Sequence, residues 1–117
     1  MKRLYSYKDL KLSIEMVELR LEVIENIKCD TRDITEKDRL LEALDILREA
    51  VKLIENDLKQ LKGLELELYK TIVIDNMSVT KAVEKVADDT YRDVTTVWKY
   101  YKKIKGNIEK IKIEEDI

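Results

Sequence analysis

The chain has 117 residues, enough for one compact unit with an appendage and too few for two large cores. Charged residues make up 41% and hydrophobic residues 44%, with two Gly and no Pro, a composition of helix formers that favours an all-α fold. With no His and a single Cys the usual general acid/base, metal and thiolate chemistry is missing, so no enzyme activity, metal or cofactor is expected.

A first helix is expected over residues 7–27, with Leu10, Ile14, Val17, Leu21 and Ile24 recurring at alternating spacings of four and three. Ser6 stands at its N-cap with Asp9 three residues on, a capping-box-like start. The segment KCDTRDIT has no such period, and Thr35 with Asp38 repeats the cap signature, which reads as the turn of a hairpin ending at Thr35. Cys29, in that turn, can close no internal disulfide, in keeping with a reducing cytoplasm.

A second helix follows, with Leu40, Leu44, Leu47, Val51, Ile54, Leu58 and Leu61 forming an unbroken heptad-type seam that stops before Gly63. It should be roughly 39 Å long and pack antiparallel to the first. Each helix carries a second apolar line, Leu12, Met16, Leu19 and Val23 on one and Ala43, Ile46, Ala50 and Leu53 on the other. One partner helix cannot cover both lines, so either the C-terminal part folds back over them or a second copy does; a homodimer through the hairpin is the expectation.

LELELYKTIVID, residues 64–75, alternates like a strand and also places Leu64, Leu68 and Ile72 at helical spacing. A lone strand would have no partner, so the segment is read as a third helix. Ser78 can cap a fourth helix whose inward positions are Val79, Ala82, Val83, Val86 and Ala87, ending near Asp89 or Thr90 where adjacent aspartates oppose the helix dipole.

Asp93 is then the expected N-cap of a fifth helix. Val94, Val97, Trp98, Tyr101 and Ile104 share one sector and should face the two preceding helices, the large rings serving as core. Opposite lie Thr95, Thr96, Lys99, Lys102 and Lys103, with Tyr100 at the flank and Arg92 just before the cap.

Charge is distributed to match. The net charge is −2 and residues 1–77 hold 14 Lys/Arg against 17 Asp/Glu, whereas residues 90–105 hold Arg92, Lys99, Lys102, Lys103 and Lys105 against Asp93 alone. An acidic body thus carries one basic stripe, which suggests a defined contact face and not general coating of a polyanion. On charge alone such a face could be only a solvated one. A short helix and turn before it favour entry into the major groove of double-stranded DNA, with lysines on phosphates or guanine edges, threonines near the helix start reaching bases, and Arg92 on the backbone.

Residues 61–104, LKGLELELYKTIVIDNMSVTKAVEKVADDTYRDVTTVWKYYKKI, resemble the region-4 helix-turn-helix of sigma factors as carried by small phage regulators of the ArpU and RinA type. The shared features are the Leu/Glu-rich first helix, the linker ending in Met77 and Ser78, the helix VTKAVEKVA, and Thr96 with Val97 early in the last helix. The turn DDTYRD departs from the pattern in lacking a glycine. The resemblance implies a phage or prophage transcriptional regulator, acting at a late-gene promoter and touching RNA polymerase.

The expected architecture is a long antiparallel helical hairpin (1–62) for oligomerisation, a sigma-region-4-like helix-turn-helix (63–105) and a C-terminal tail (106–117). A small phage DNA-packaging protein and a helical protein-protein adaptor are the alternatives. No apolar run approaches the roughly 20 residues needed to cross a membrane, and the opening MKRLYSYKDLK lacks the apolar stretch of a signal peptide, so a cytoplasmic protein with no membrane association is expected.

Overall fold

The computed structural model describes the backbone of residues 2–26 and 31–114, and the side chains of 2–26 and 35–114. Its fold is all-α: α1 (Tyr7–Glu25), α2 (Thr31–Gln60), α3 (Gly63–Val73), α4 (Val79–Thr90) and α5 (Val94–Lys110), with two-residue strands β1 (Lys2–Arg3) and β2 (Ile113–Glu114). Its extents are 61 × 27 × 19 Å, so the molecule is a rod with a thickened end.

The rod is α1 against α2. Helix α1 starts where Ser6 Oγ accepts a 3.1 Å hydrogen bond from the Asp9 N–H, the cap read from the sequence. Leu21, Ile24 and Leu44 are buried along the seam. Arg20–Glu36 (2.8 Å), Arg48–Glu18 (3.5 Å) and Lys11–Glu55 (3.9 Å) bridge the helices, and their inverse order along the two helices makes the pair antiparallel. These pairs are exposed and screened by solvent, so the apolar seam is the main adhesive.

Helix α2 begins at Thr31, not after Thr35, and Thr35 lies inside it instead of capping it. With no Pro or Gly between 31 and 35, extending the helix adds a backbone hydrogen bond per residue and meets no breaker. Cys29 lies outside the described residues.

A two-residue joint, Leu61 and Lys62, separates α2 from α3. Gly63 opens α3 at φ +61°, a backbone conformation that L side chains rarely adopt, which is why glycine stands here. The alternating segment 64–75 is helical over most of its length, and it buries Leu68, Tyr69, Thr71, Ile72 and Val73. Ser78 caps α4, accepting from the Lys81 N–H at 3.4 Å.

Residues 106–114 are not a tail. Helix α5 runs to Lys110, Ile108 and Ile111 are buried, and β2 pairs antiparallel with β1, Lys2 opposite Glu114 and Arg3 opposite Ile113. One buried cluster joins Leu10, Ala50, Val51 and Ile54 of the hairpin to Leu68, Tyr69 and Ile72 of α3, Val83 and Val86 of α4, and Val97, Ile104, Ile108 and Ile111. The hairpin and the C-terminal helices therefore share a core, because the apolar period of α5 continues past Gly106.

A buried polar group reinforces this junction. Asp57 of α2 accepts from the Tyr69 hydroxyl at 2.8 Å and from Asn107 Nδ2 at 2.9 Å, linking α2, α3 and α5. Desolvation first, and the Asp57 carboxylate second, push the Tyr69 phenol far above its ordinary value.

Candidate nucleic-acid interface

Helices α3, α4 and α5 pack mutually, and α4 and α5 are joined by three residues, Tyr91 to Asp93. Helix α4 turns Ala82, Val83, Val86 and Ala87 inward and leaves Thr80, Lys81, Glu84, Lys85, Asp88 and Asp89 outside. Its outer face is of mixed sign, with Lys85 paired to Asp89 at 2.8 Å.

The exit from α4 accounts for the missing glycine. Tyr91 itself takes the left-handed conformation (φ 55°, ψ 40°); its N–H donates to the Asp88 carbonyl at 3.3 Å, and the Arg92 N–H donates to the Ala87 carbonyl at 3.0 Å. This is the bond pair of a Schellman ending, and it turns the chain sharply. A side chain there costs roughly 1–2 kcal/mol relative to glycine. The Tyr91 ring recovers none of it by packing, being 97% exposed.

Asp93 occupies the N-cap of α5 with extended backbone (φ −65°, ψ 141°), but its carboxylate makes no capping hydrogen bond. The side-chain cap expected from the sequence is therefore not formed, and what remains is a negative charge at the positive end of the helix dipole. Val94 also departs from expectation: it is 43% exposed, because it stands on the first turn, ahead of the helices that cover the rest of the seam. Val97 and Ile104 are fully inside. Trp98 and Tyr101 are half-buried against the core and meet edge to face, centroids 5.5 Å apart at 86°.

The remaining residues singled out from the sequence fall together on the outside of α5. Arg92, Thr95, Lys99, Lys102 and Lys103 are exposed, and Thr96 and Tyr100 are half-buried at one flank. Thr96, Lys99, Tyr100 and Lys103 line a shallow depression of about 250 Å³, and Lys103 Nζ lies 5.2 Å from the Tyr100 ring centroid. That cation-π contact orients one ammonium over the depression. The face from Thr95 to Lys103 holds no carboxylate.

Lys110, exposed and two turns beyond Lys103, continues the same face past the boundary at residue 105 expected from the sequence. Tyr91 has no signal in the sequence, since only a backbone reveals its strain. Among the described residues no cluster of His, Cys, Asp and Glu could hold a metal ion, and no helix is long and apolar enough to cross a membrane.

Comparison with protein-family models, with curated proteins and with solved structures returned no match, so the reading of this face rests on its own residues.

Proposed function

We propose that this protein is a sequence-specific double-stranded DNA-binding regulator of transcription, of the phage or prophage type. In this reading α4, the three-residue turn and α5 act as a helix-turn-helix with α5 as the recognition helix. The observation that carries the reading is the contrast between the mixed-sign outer face of α4 and the acid-free lysine and threonine face of α5. Such a face matches the polyanionic walls and base edges of a major groove. Thr95, Thr96 and Lys99 stand near the helix start, where base edges are reached; Arg92, Lys102 and Lys103 stand where phosphates run, and Tyr100 flanks them.

The hairpin is read as the oligomerisation element. The C-terminal helices answer for part of its second apolar line, since Ala50 is buried in the common core and Leu53 packs on it. They do not answer for α1, where Leu12 (47%), Met16 (70%), Leu19 (61%) and Val23 (47%) stay exposed along one line. A second copy of the chain is the proposed cover. Contact with RNA polymerase is part of the proposal through the sigma-like resemblance alone.

The test is selection of bound fragments from a random duplex pool, followed by salt titration of the selected site. A defined site with steep salt dependence supports the reading. A folded, dimeric protein that binds no duplex at low salt overturns it in favour of a helical protein-protein adaptor, and ring-like assemblies would point to the packaging alternative.

A further inference from the structure

The chain has two glycines, and the fold accounts for one of them. Gly63 is required by its positive φ, whereas Gly106 lies within regular helix, and a Cβ built there would meet nothing within 4 Å. Neither backbone conformation nor packing calls for glycine at this position, and a mid-helix glycine weakens a helix relative to alanine. The position is also exposed.

Its surroundings supply a reason. Lys99, Lys103, Gly106 and Lys110 follow one another at spacings of four, three and four, so they form a single line along the outside of α5. Glu109, the acid of this last part of the helix, stands two turns beyond Lys102 at the edge of the face, off the line of Lys103 and Lys110, and is paired with Lys112 at 2.9 Å. Gly106 is thus a gap in a row of exposed ammonium groups, bare down to the backbone.

We infer that a DNA phosphate strand passes over Gly106, held between Lys103 and Lys110, so that the binding face of α5 extends almost to its C-terminus. The inference rests on the DNA-binding reading above and adds Gly106 and Lys110 to the contact residues. A side chain at 106 would hold the strand away from the helix, and its absence lets the flanking lysines reach phosphates on either side of the close approach. Contacts of this kind position the duplex and are indifferent to its sequence.

Gly106→Ala, Gly106→Gln and Lys110→Ala in the 117-residue chain test this, using a mixed-sequence duplex at low salt, with Lys102→Ala as reference. Both glycine variants should melt higher than the parent. Gly106→Gln should nevertheless lower duplex affinity by about tenfold, the scale of one good contact, with Gly106→Ala in between. Lys110→Ala should flatten the log-log salt dependence by about 0.9, one phosphate contact. If Lys102→Ala weakens binding while Gly106→Gln and Lys110→Ala leave both affinity and salt slope unchanged, the strand does not pass there and the inference falls alone. If the parent binds no duplex, the DNA reading falls and takes this inference with it.

Discussion

The Tyr69 hydroxyl donates a 2.8 Å hydrogen bond to the Asp57 carboxylate from a position with no solvent exposure, and that carboxylate also holds Asn107. A tyrosine of the third helix thereby ties the hairpin to the helix that carries the lysine face.

Tyr69→Phe should destabilise the fold by about 1–3 kcal/mol, the usual result of depriving a buried acceptor of a donor. The pH dependence follows from the raised phenol. Its folded-state pKa lies above the ordinary 10.0, so its contribution is complete below pH 10 and declines above it as the unfolded chain ionises first. Urea denaturation between neutral pH and about pH 11 should show the parent losing stability faster than Tyr69→Phe. Parallel losses would mean the phenol is not held neutral.

Tyr91→Gly should stabilise the protein by roughly 0.5–1 kcal/mol, the relief of left-handed strain reduced by the greater freedom of glycine in the unfolded chain. Thermal melts decide it. A lower melting temperature would show that the exposed ring makes contacts of its own.

Asp93→Ala removes a charge near the helix start but no capping hydrogen bond, so the cost should be about 0.3–1 kcal/mol, below that of losing a bonded cap. Duplex affinity should rise slightly, since an anion leaves the contact face. A loss near 2 kcal/mol would indicate that the carboxylate caps the helix in solution.

Lys102→Ala and Lys103→Ala should weaken binding to all duplexes and flatten the salt slope by about 0.9 each. Thr95→Ala, Thr96→Ala and Lys99→Ala should instead erode preference for the selected site by about 1–3 kcal/mol per base-edge contact. Trp98→Ala should act through stability, by less than the roughly 3–5 kcal/mol of a fully buried ring because this one is half-buried. Uniform tolerance of every lysine change would return the face to a merely solubilising role.

Met16→Lys with Leu19→Lys should convert a dimer to a monomer in sedimentation without loss of helical signal, since both side chains point away from α2 and are 70% and 61% exposed. A parent that sediments as a monomer would remove α1 from any self-association.

Much of this was legible in the residues. Ser6 and Ser78 declared two helix starts through short-range chemistry, and Val97 and Ile104 declared the inner face of α5 through period alone. Segment 64–75 fits both periods, and only the neighbours that Leu68 and Ile72 meet settle it as helix. Thr35 misled because a cap signature inside a helix looks the same as one at its start. The polar group of Asp57, Tyr69 and Asn107 had no local signature, its members being 12 and 50 residues apart. Gly106 looked like a boundary, and Ile108 and Ile111 were lost behind it.

The two-residue joint between α2 and α3, together with the anchored Asn107, leaves the lysine face bolted to the rod and not tethered to it. A pair of such chains would behave like a caliper with fixed jaws. Its reach is set by the stiffness of helices, so it should accept operators of one spacing and phase. Inserting a few base pairs between half-sites should then be as damaging as mutating the half-sites themselves.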